Sequence, residues 1–369
     1  MSMERKELFY LMALAAVQRL GPITIRALID HFGCASAVFE AEEAALQEVQ
    51  GVGEHLAKAI KNQKDPLAFA ESELAFVERN GLQLITYRDA DYPRRLSYYP
   101  DAPLVLYYLG GADLNPDRIV GIVGTRSPTH QGVQFVEELM DGLKDYRPLV
   151  ISGLAYGIDA AAHRAALEAG LPTVACLAHG LRTLYPSAHR KLAAKMREEG
   201  GLLTEHHSRA RPAREHFPLR NRIVAAMSDA LIVVESGEEG GSMITASLAN
   251  GYGKEVFAVP GRLRDAKSAG CNKLIKTHQA SLLQSAEDIA YLLGWNKPLG
   301  GRGRQLKMFQ ELSEPEQQLV LMLEEEGSLS FDQLSRRMSM GAGRLSALLL
   351  ELECKNVVQS APGKRFELL

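Results

Sequence analysis

The chain has 369 residues, 46% of them hydrophobic and 24% charged, a balance that excludes a collagen-like or wholly disordered protein. A formal net charge of -3 excludes a polycation, so any nucleic-acid site must be a local basic patch. The four cysteines are far apart in sequence and form no C-x-x-C pair, which argues against a zinc knuckle or a disulfide framework and favours reduced thiols in the cytoplasm.

The length predicts two or three domains, and the first of them, residues 1–65, has the pattern of short helices. Its apolar run from Leu8 to Val17 follows Arg5 and Lys6, so two interpretations are open: a secretory signal or a buried first helix. A polar Gln18 and a following Gly-Pro pair favour the helix. The chain has no apolar run of the roughly 18 residues that span a bilayer, so we expect no membrane contact.

A pair of glycines, Gly51 and Gly53, separates two of these short helices in the manner of a helix-hairpin-helix. Backbone N–H groups at such a turn can approach a phosphate. Glu54 stands where a basic residue would assist that contact, so plain packing of the hairpin is the favoured interpretation.

Residues 66–297 alternate short apolar runs with amphipathic segments. This pattern predicts an α/β fold: a Rossmann-like, mostly parallel sheet with helices on both faces. The predicted strands are Leu82 to Thr86, Leu104 to Leu109, Ile119 to Val123, Leu149 to Ser152, Thr173 to Leu177, Leu231 to Glu235 and Val256 to Val259.

A polar, Gly-rich stretch at 298–310 predicts a linker, and 311–369 predicts a winged-helix-like domain. Three helices, 314–326, 330–338 and 341–353, precede two strands near 357–360 and 365–368. The third helix carries Arg344 but also Glu351 and Glu353, so protein interaction or packing is favoured over reading of a DNA groove.

A basic patch runs from Arg182 to Arg222, where ten Lys and Arg residues face four acidic ones. Such a patch is either a pair of solvated helix faces or the electrostatic site of a nucleic acid. Within it, Phe217 lies beside Arg220, Asn221 and Arg222. Aromatic rings stack on bases while arginines hold phosphates, so this segment favours a single-strand groove.

Four predicted strands end in loops that suit an anionic ligand, because loops at the carboxyl ends of parallel strands lead into helix N-termini. The first delivers Arg126 after Gly124, and the second is rich in glycine and carries Asp159. The third holds Tyr185, which could stack on a base or fill the sheet edge, and the fourth joins glycines to Ser242 and a following Thr.

Signatures of the common enzyme classes are absent from the sequence. It contains no G-x-x-x-x-G-K-[ST], no G-x-G-x-x-G after a strand and no G-x-S-x-G. Glu205-His206-His207 lacks the histidine spacing of a zinc helix. We therefore expect no catalytic residue, no metal and no cofactor.

Seven motifs in this order resemble the DprA/Smf (DNA-processing protein A) family. They are Ile122-Val123-Gly124-Thr125-Arg126, Ser152-Gly153-Leu154-Ala155-Tyr156-Gly157-Ile158-Asp159, Tyr185-Pro186, Phe217-Pro218-Leu219-Arg220-Asn221-Arg222-Ile223, Gly241-Ser242-Met243-Ile244-Thr245-Ala246, Val256-Phe257-Ala258-Val259-Pro260-Gly261 and Gly270-Cys271-Asn272-Lys273-Leu274-Ile275. The resemblance implies a protein that binds and protects incoming single-stranded DNA in natural transformation, helps to load the RecA recombinase and forms a homodimer through the Rossmann-like domain.

Carried over by motif, the resemblance also implies a set of DNA contacts. Arg126 and Arg214 would bind phosphates, Phe217 would stack, Arg220, Asn221 and Arg222 would surround it, and Gly241, Ser242 and Lys254 would form the opposite wall. The full expected set is Gly124, Thr125, Arg126, Gly153, Lys191, Arg214, Phe217, Arg220, Asn221, Arg222, Gly241, Ser242, Lys254 and Asn272.

The sequence departs from the family pattern in a few places. Thr125 and Gly240 stand where serines are usual, and His189 stands where asparagine is common. The usual glycine and aspartate before Tyr-Pro are replaced by Ala178 and the segment 181–183, which changes the expected geometry of that loop.

Two other functions fit the same architecture. One is a nucleotide phosphoribohydrolase resembling the LOG family, with Glu235 and Arg126 handling sugar and phosphate, although the P-G-G-x-G-T loop of those enzymes is absent. The other is an adaptor whose C-terminal domain binds partners while the pocket binds no DNA.

Overall fold

The computed structural model describes residues 3–62, 64–295, 313–338, 340–355, 357–361 and 365–368. The linker predicted at 298–310 lies outside these residues. The chain divides into two compact units, Met1–Pro298 and Leu299–Leu369. No helix among the described residues is long and apolar enough to cross a membrane.

The first unit begins with six helices. They are α1 (Met3–Ala16), α2 (Pro22–Phe32), α3 (Ala35–Glu40), α4 (Glu43–Gln47), α5 (Glu54–Lys61) and α6 (Lys64–Asn80). The first apolar run lies in α1, where Met12 and Leu14 are buried. The core of these helices continues onto Leu104 and Tyr107, so the helical segment packs directly on the β-sheet that follows.

A nine-stranded sheet forms the centre of this unit. Its strands are β1 (Gln83–Thr86), β2 (Val105–Gly110), β3 (Ile119–Gly124), β4 (Leu149–Ser152), β5 (Thr173–Cys176), β6 (Gly201–Thr204), β7 (Ala230–Val234), β8 (Glu255–Ala258) and β9 (Ser281–Leu282). The associated helices are α7 (Arg94–Ser97), α8 (His130–Leu143), α9 (Ile158–Glu168), α10 (Arg190–Glu199), α11 (His216–Met227), α12 (Gly241–Gly251), α13 (Ala269–Lys276) and α14 (Ala286–Leu293). The predicted α/β, mostly parallel, Rossmann-like sheet is thereby confirmed.

Alternate residues of the central strands face opposite sides of the sheet, as a strand's period of two requires. Val123 and Val233 face a core completed by α11, α12 and α13, whereas Ile122 and Ile232 face a core completed by α8, α9 and α14. Both faces are covered, which explains why these strands read as unbroken apolar runs in the sequence.

The strand order is β1-β2-β6-β5-β4-β3-β7-β8-β9. Strands β3 to β9 are parallel, and β2 is antiparallel to both β1 and β6. The chain winds outward from β3 through β4, β5 and β6, then returns to add β7 on the other side of β3. The winding direction reverses between β3 and β7, and open α/β sheets bind their ligands at such a point.

Two of the nine strands were missed by the pattern of apolar runs. Strand β6 begins at Gly201, directly after Gly200, and two consecutive glycines predict a turn instead of a strand. A Cβ on Gly200 would lie 1.9 Å from the Thr173 carbonyl oxygen, and one on Gly201 would lie 2.3 Å from the Tyr108 ring. These glycines therefore allow β6 to fit between its neighbours. Strand β9 has only two residues, too few to form a pattern.

The second unit has the three helices and the two C-terminal strands predicted for a winged helix, and a third strand completes an antiparallel sheet. Its elements are α15 (Glu314–Glu326), β10 (Ser328–Ser330), α16 (Phe331–Arg337), α17 (Ala342–Cys354), β11 (Val358–Ala361) and β12 (Arg365–Leu368), with strand order β10-β12-β11. Leucines from all three helices form its core. The short strand β10 was missed because its last residue, Ser330, reads as the cap of α16.

Candidate nucleic-acid interface

An open pocket of about 740 Å³ lies at the carboxyl ends of β3 and β7, where the winding reverses. Five segments form its walls: the loop after β3, the loop from β4 into α9, the loop after β5, the segment leading into α11, and the loop from β7 into α12. Nine of the residues expected from the sequence line it, namely Gly124, Thr125, Arg126, Arg214, Phe217, Arg220, Asn221, Gly241 and Ser242.

The loop after β3 is held tightly against its neighbours. The Thr125 N–H donates to the Glu235 carbonyl (2.7 Å), and the Thr125 carbonyl accepts from the Ile158 N–H (3.1 Å). Gly124 leaves no space for a side chain, because its Cβ would lie 2.0 Å from the Val234 carbonyl oxygen. This fixed backbone directs Arg126 out of the loop to the surface of the pocket.

A cation and two aromatic rings contact one another in succession at the pocket. The Arg126 guanidinium lies 5.6 Å from the centre of the Phe217 ring. Phe217 meets Tyr185 edge to face, with ring centres 6.1 Å apart. Tyr185 is 46% exposed, and its backbone N–H donates to His179 Nε2 (3.1 Å). Tyr185 thus lines the pocket instead of filling the sheet edge, and sequence reasoning had left that question open.

Arg220 forms part of the pocket floor and is only 4% exposed. Its Nη1 donates to the carbonyl oxygens of Gly153 (2.5 Å) and Cys176, and its Nε donates to Asn221 Oδ1 (3.1 Å). Burial lowers the pKa of Arg220, while the nearby Asp159 raises it. The guanidinium therefore ties α11 to the ends of β4 and β5 and places a fixed positive charge beneath the pocket.

Helix α12 begins at the pocket wall with Gly240 as its N-cap and without a side-chain cap. Uncapped N–H groups and the helix dipole favour an anion at that position. Ser242 Oγ donates to Ser236 Oγ (2.7 Å), which in turn donates to the Gly237 carbonyl (2.9 Å). Sequence reasoning overlooked Ser236, although it is the first residue of this glycine-rich loop.

Glu235, the expected sugar-binding residue of the phosphoribohydrolase alternative, instead holds Thr129, the N-cap residue of α8. Its carboxylate accepts hydrogen bonds from the Thr129 N–H (2.8 Å) and the Thr129 hydroxyl. It is absent from the pocket lining.

Three of the expected residues do not line the pocket. Gly153 stands behind Arg220, whose Cζ would be 2.4 Å from a Cβ at that position. Lys191 is exposed in the first turn of α10. Asn272 uses its side-chain amide to bind the backbone of Gly261, donating to its carbonyl (3.0 Å) and accepting from its N–H (3.1 Å).

Two expected residues lie elsewhere. Arg222 pairs with Glu205 and lines a separate cavity with Phe69 of α6, because it projects from another face of α11. Lys254 precedes β8, which runs parallel to β7, so it lies at the amino edge of the sheet, opposite the pocket. There its Nζ is 5.8 Å from the centre of the Tyr99 ring, and burial lowers the pKa of Lys254.

No group of three His, Cys, Asp or Glu side chains within the described part of the chain is arranged to hold a metal ion. Two histidines of the basic patch pack against each other: His206 stacks on His216 with ring centres 4.2 Å apart. Burial, followed by the neighbouring His216, lowers the pKa of His206 to about 4.

Comparison with known proteins matches residues 83–294 to the family model of DNA recombination-mediator protein A and residues 310–364 to the DprA winged helix domain. Protein Smf of Synechocystis is 32% identical, covering 99% of this chain and all of that one. DNA processing protein DprA of Bacillus subtilis is 40% identical, covering 58% of this chain and 73% of that one.

Two solved structures extend this likeness to three dimensions. The X-ray structure of DNA processing protein A from Streptococcus pneumoniae superposes with a TM-score of 0.67 at 31% identity, covering 78% of this chain and 96% of that one. DNA processing protein A from Helicobacter pylori, whose structure is described for its single-stranded DNA binding mode, superposes with a TM-score of 0.53 at 29% identity, covering 58% of this chain and 98% of that one. The chain therefore belongs to the DNA recombination-mediator protein A (DprA/Smf) family, with a DprA winged helix domain at its C-terminal end.

Proposed function

We propose that this protein binds single-stranded DNA in the pocket between β3 and β7 and acts in DNA processing during natural transformation. The observation that carries the proposal is the succession of contacts between Arg126, Phe217 and Tyr185. Successive bases of a single strand can stack on such rings while arginines neutralise the phosphates. The Helicobacter pylori relative, described for its single-stranded DNA binding, supports the same ligand here.

The chemistry of the pocket favours binding over catalysis. Arg126, Arg214 and Arg220 supply positive charge, and the uncapped start of α12 adds N–H donors. Glu235 is the carboxylate that would handle the sugar in the phosphoribohydrolase alternative. Here it accepts a hydrogen bond from Thr129. We propose that the protein is not an enzyme and protects the bound strand.

We further propose RecA as a partner, loaded onto the bound strand, and a homodimer formed through the Rossmann-like domain. Membership of the recombination-mediator family supports the first proposal. The exposed apolar side chains at the far edge of the sheet support the second: Leu282 of β9 and Tyr291 and Leu292 of α14 are 44%, 85% and 48% exposed.

The test of DNA binding is fluorescence anisotropy of a labelled oligothymidine titrated with protein across a salt series. Each phosphate neutralised by an Arg or Lys in a single strand contributes a log–log slope of about -0.7, so Arg126 and Arg214 predict a slope of about -1.4 from the pocket alone. A duplex of equal length is the competitor, and we expect it to compete poorly because its bases are stacked inside. Absence of binding at low salt would contradict the proposal.

Replacing Phe217 separates stacking from charge. We expect Phe217→Ala to weaken oligothymidine binding by about 1–2 kcal/mol, or about 5- to 30-fold, with little change in salt slope, because stacking releases no counterions. The control is Lys254→Ala, which removes a positive charge at the opposite edge and should leave both affinity and slope unchanged. A slope change in Phe217→Ala would refute this role for the ring.

A further inference from the structure

The loop that follows β8, residues 261–268, stands on the same edge of the sheet as the pocket. Because β8 is next to β7 in the strand order, this loop is the next one along the carboxyl edge. It lies outside the pocket lining but is held beside it: Lys267 Nζ donates to the Ser127 carbonyl (2.6 Å), and in α13, which follows the loop, the Gly270 N–H donates to the Ser236 carbonyl (2.8 Å).

Hydrogen bonds of its own hold this loop in one shape. The Asn272 side-chain amide is hydrogen-bonded to both the N–H and the carbonyl of Gly261. The Asp265 carboxylate accepts from the Lys267 N–H (3.0 Å) and from Ser268 Oγ (3.4 Å). Asn272, which the sequence also predicts as a DNA contact, thus holds the loop through its side-chain amide.

The outer surface of the loop is basic around one exposed apolar side chain. Arg262 and Arg264 are exposed, and Leu263 between them is 93% exposed. Asp265 is the only acid among residues 261–268, and its carboxylate accepts the two hydrogen bonds described above. Of the acids on the adjoining β7 loop, Glu238 lies 3.7 Å from Lys273, and Glu239 is exposed.

We infer that the single-stranded DNA path continues from the pocket onto this loop, with Arg262 and Arg264 on successive phosphates and Leu263 against the sugar or base between them. The inference rests on the proposed function, because it needs a strand already bound at Arg126. Two observations favour DNA over a protein partner. The exposed Arg262 and Arg264 complement phosphates in charge, and Lys267 is hydrogen-bonded to the loop that carries Arg126. The binding site is therefore longer than the pocket, and the loop acts only on strands long enough to reach it.

The experiment compares two lengths of oligothymidine, about 6 and about 20 nucleotides, spanning the usual site sizes of single-strand binders. For the double variant Arg262→Ala/Arg264→Ala we expect about tenfold weaker binding of the long strand and a salt slope shallower by about 1.4, from two lost phosphate contacts. Binding of the short strand should stay within about twofold of wild type. The control, Lys144→Ala/Lys276→Ala, removes two exposed charges at the amino edge and should alter neither length.

Each outcome separates this inference from the proposed function. If the wild type binds neither length, the proposed function fails. If the wild type binds both and the double variant binds the long strand equally well, the inference alone fails. Equal losses at both lengths would place these arginines inside the pocket's own site, and a changed mass by light scattering would make the loop a protein interface; either result overturns the inference.

Discussion

Substitution of Arg126 by alanine is expected to weaken single-stranded DNA binding by about 2–3 kcal/mol, or about 30- to 150-fold. Arg126 is placed to pair with a phosphate and also lies over the Phe217 ring, so its loss removes a charge-assisted contact and frees the stacking ring. The salt slope should become shallower by about 0.7, the contribution of one phosphate. Both quantities come from the same anisotropy titration.

Arg126→Lys is the matched variant, because it keeps the charge and loses the planar fork. It should recover the salt slope while recovering only part of the affinity. Wild-type affinity in Arg126→Ala would exclude this residue from the site, and a loss of affinity with an unchanged slope would mean that it supports Phe217 without touching a phosphate.

Removal of Arg220 is expected to destabilise the protein, by about 3 kcal/mol in the free energy of unfolding for Arg220→Met. The variant keeps much of the side-chain volume but leaves the carbonyls of Gly153 and Cys176 without their charged donor. It also removes the charge that lowers the pKa of Asp159, a carboxyl whose pKa burial raises. The loss therefore combines unmet hydrogen bonds with a less favourable buried acid.

The single tryptophan provides the measurement. Trp295 packs against the core on one face of the large sheet, so its fluorescence in a urea titration reports on the unit that contains Arg220. Arg214→Met, an exposed arginine of the same pocket, should change stability by less than about 0.5 kcal/mol. Equal stability of Arg220→Met and wild type would show that the buried guanidinium does not stabilise the fold.

The central strands could be predicted because both of their faces are buried. Burial on both faces requires an unbroken run of apolar residues. The same reasoning fails for β6. Its two leading positions are glycines for steric reasons that involve Thr173 of β5 and Tyr108 of β2, residues distant in sequence. Because these steric limits come from neighbouring strands, they produce no periodic pattern in the sequence of β6 itself.

The lining of the pocket follows most directly from the sequence where loops leave parallel strands. Gly124 and Arg126 follow β3, and Ser242 begins the helix after β7, so local sequence sufficed to put them at one edge. Lys254 was misplaced because it precedes its strand, and a residue before a parallel strand lies at the opposite edge.

The sequence by itself determined the family, the α/β class and the loops that carry the pocket, since all of these depend on residues close together along the chain. Only the tertiary structure decided how the adjacent residues Arg220, Asn221 and Arg222 divide their roles. Consecutive helical residues point about 100° apart, so one is buried beneath the pocket, one lines it and one pairs with Glu205 in another cavity. Packing fixes which face of α11 meets the sheet. As a result, the three candidates become a buried structural residue, a residue that lines the pocket and a member of an ion pair.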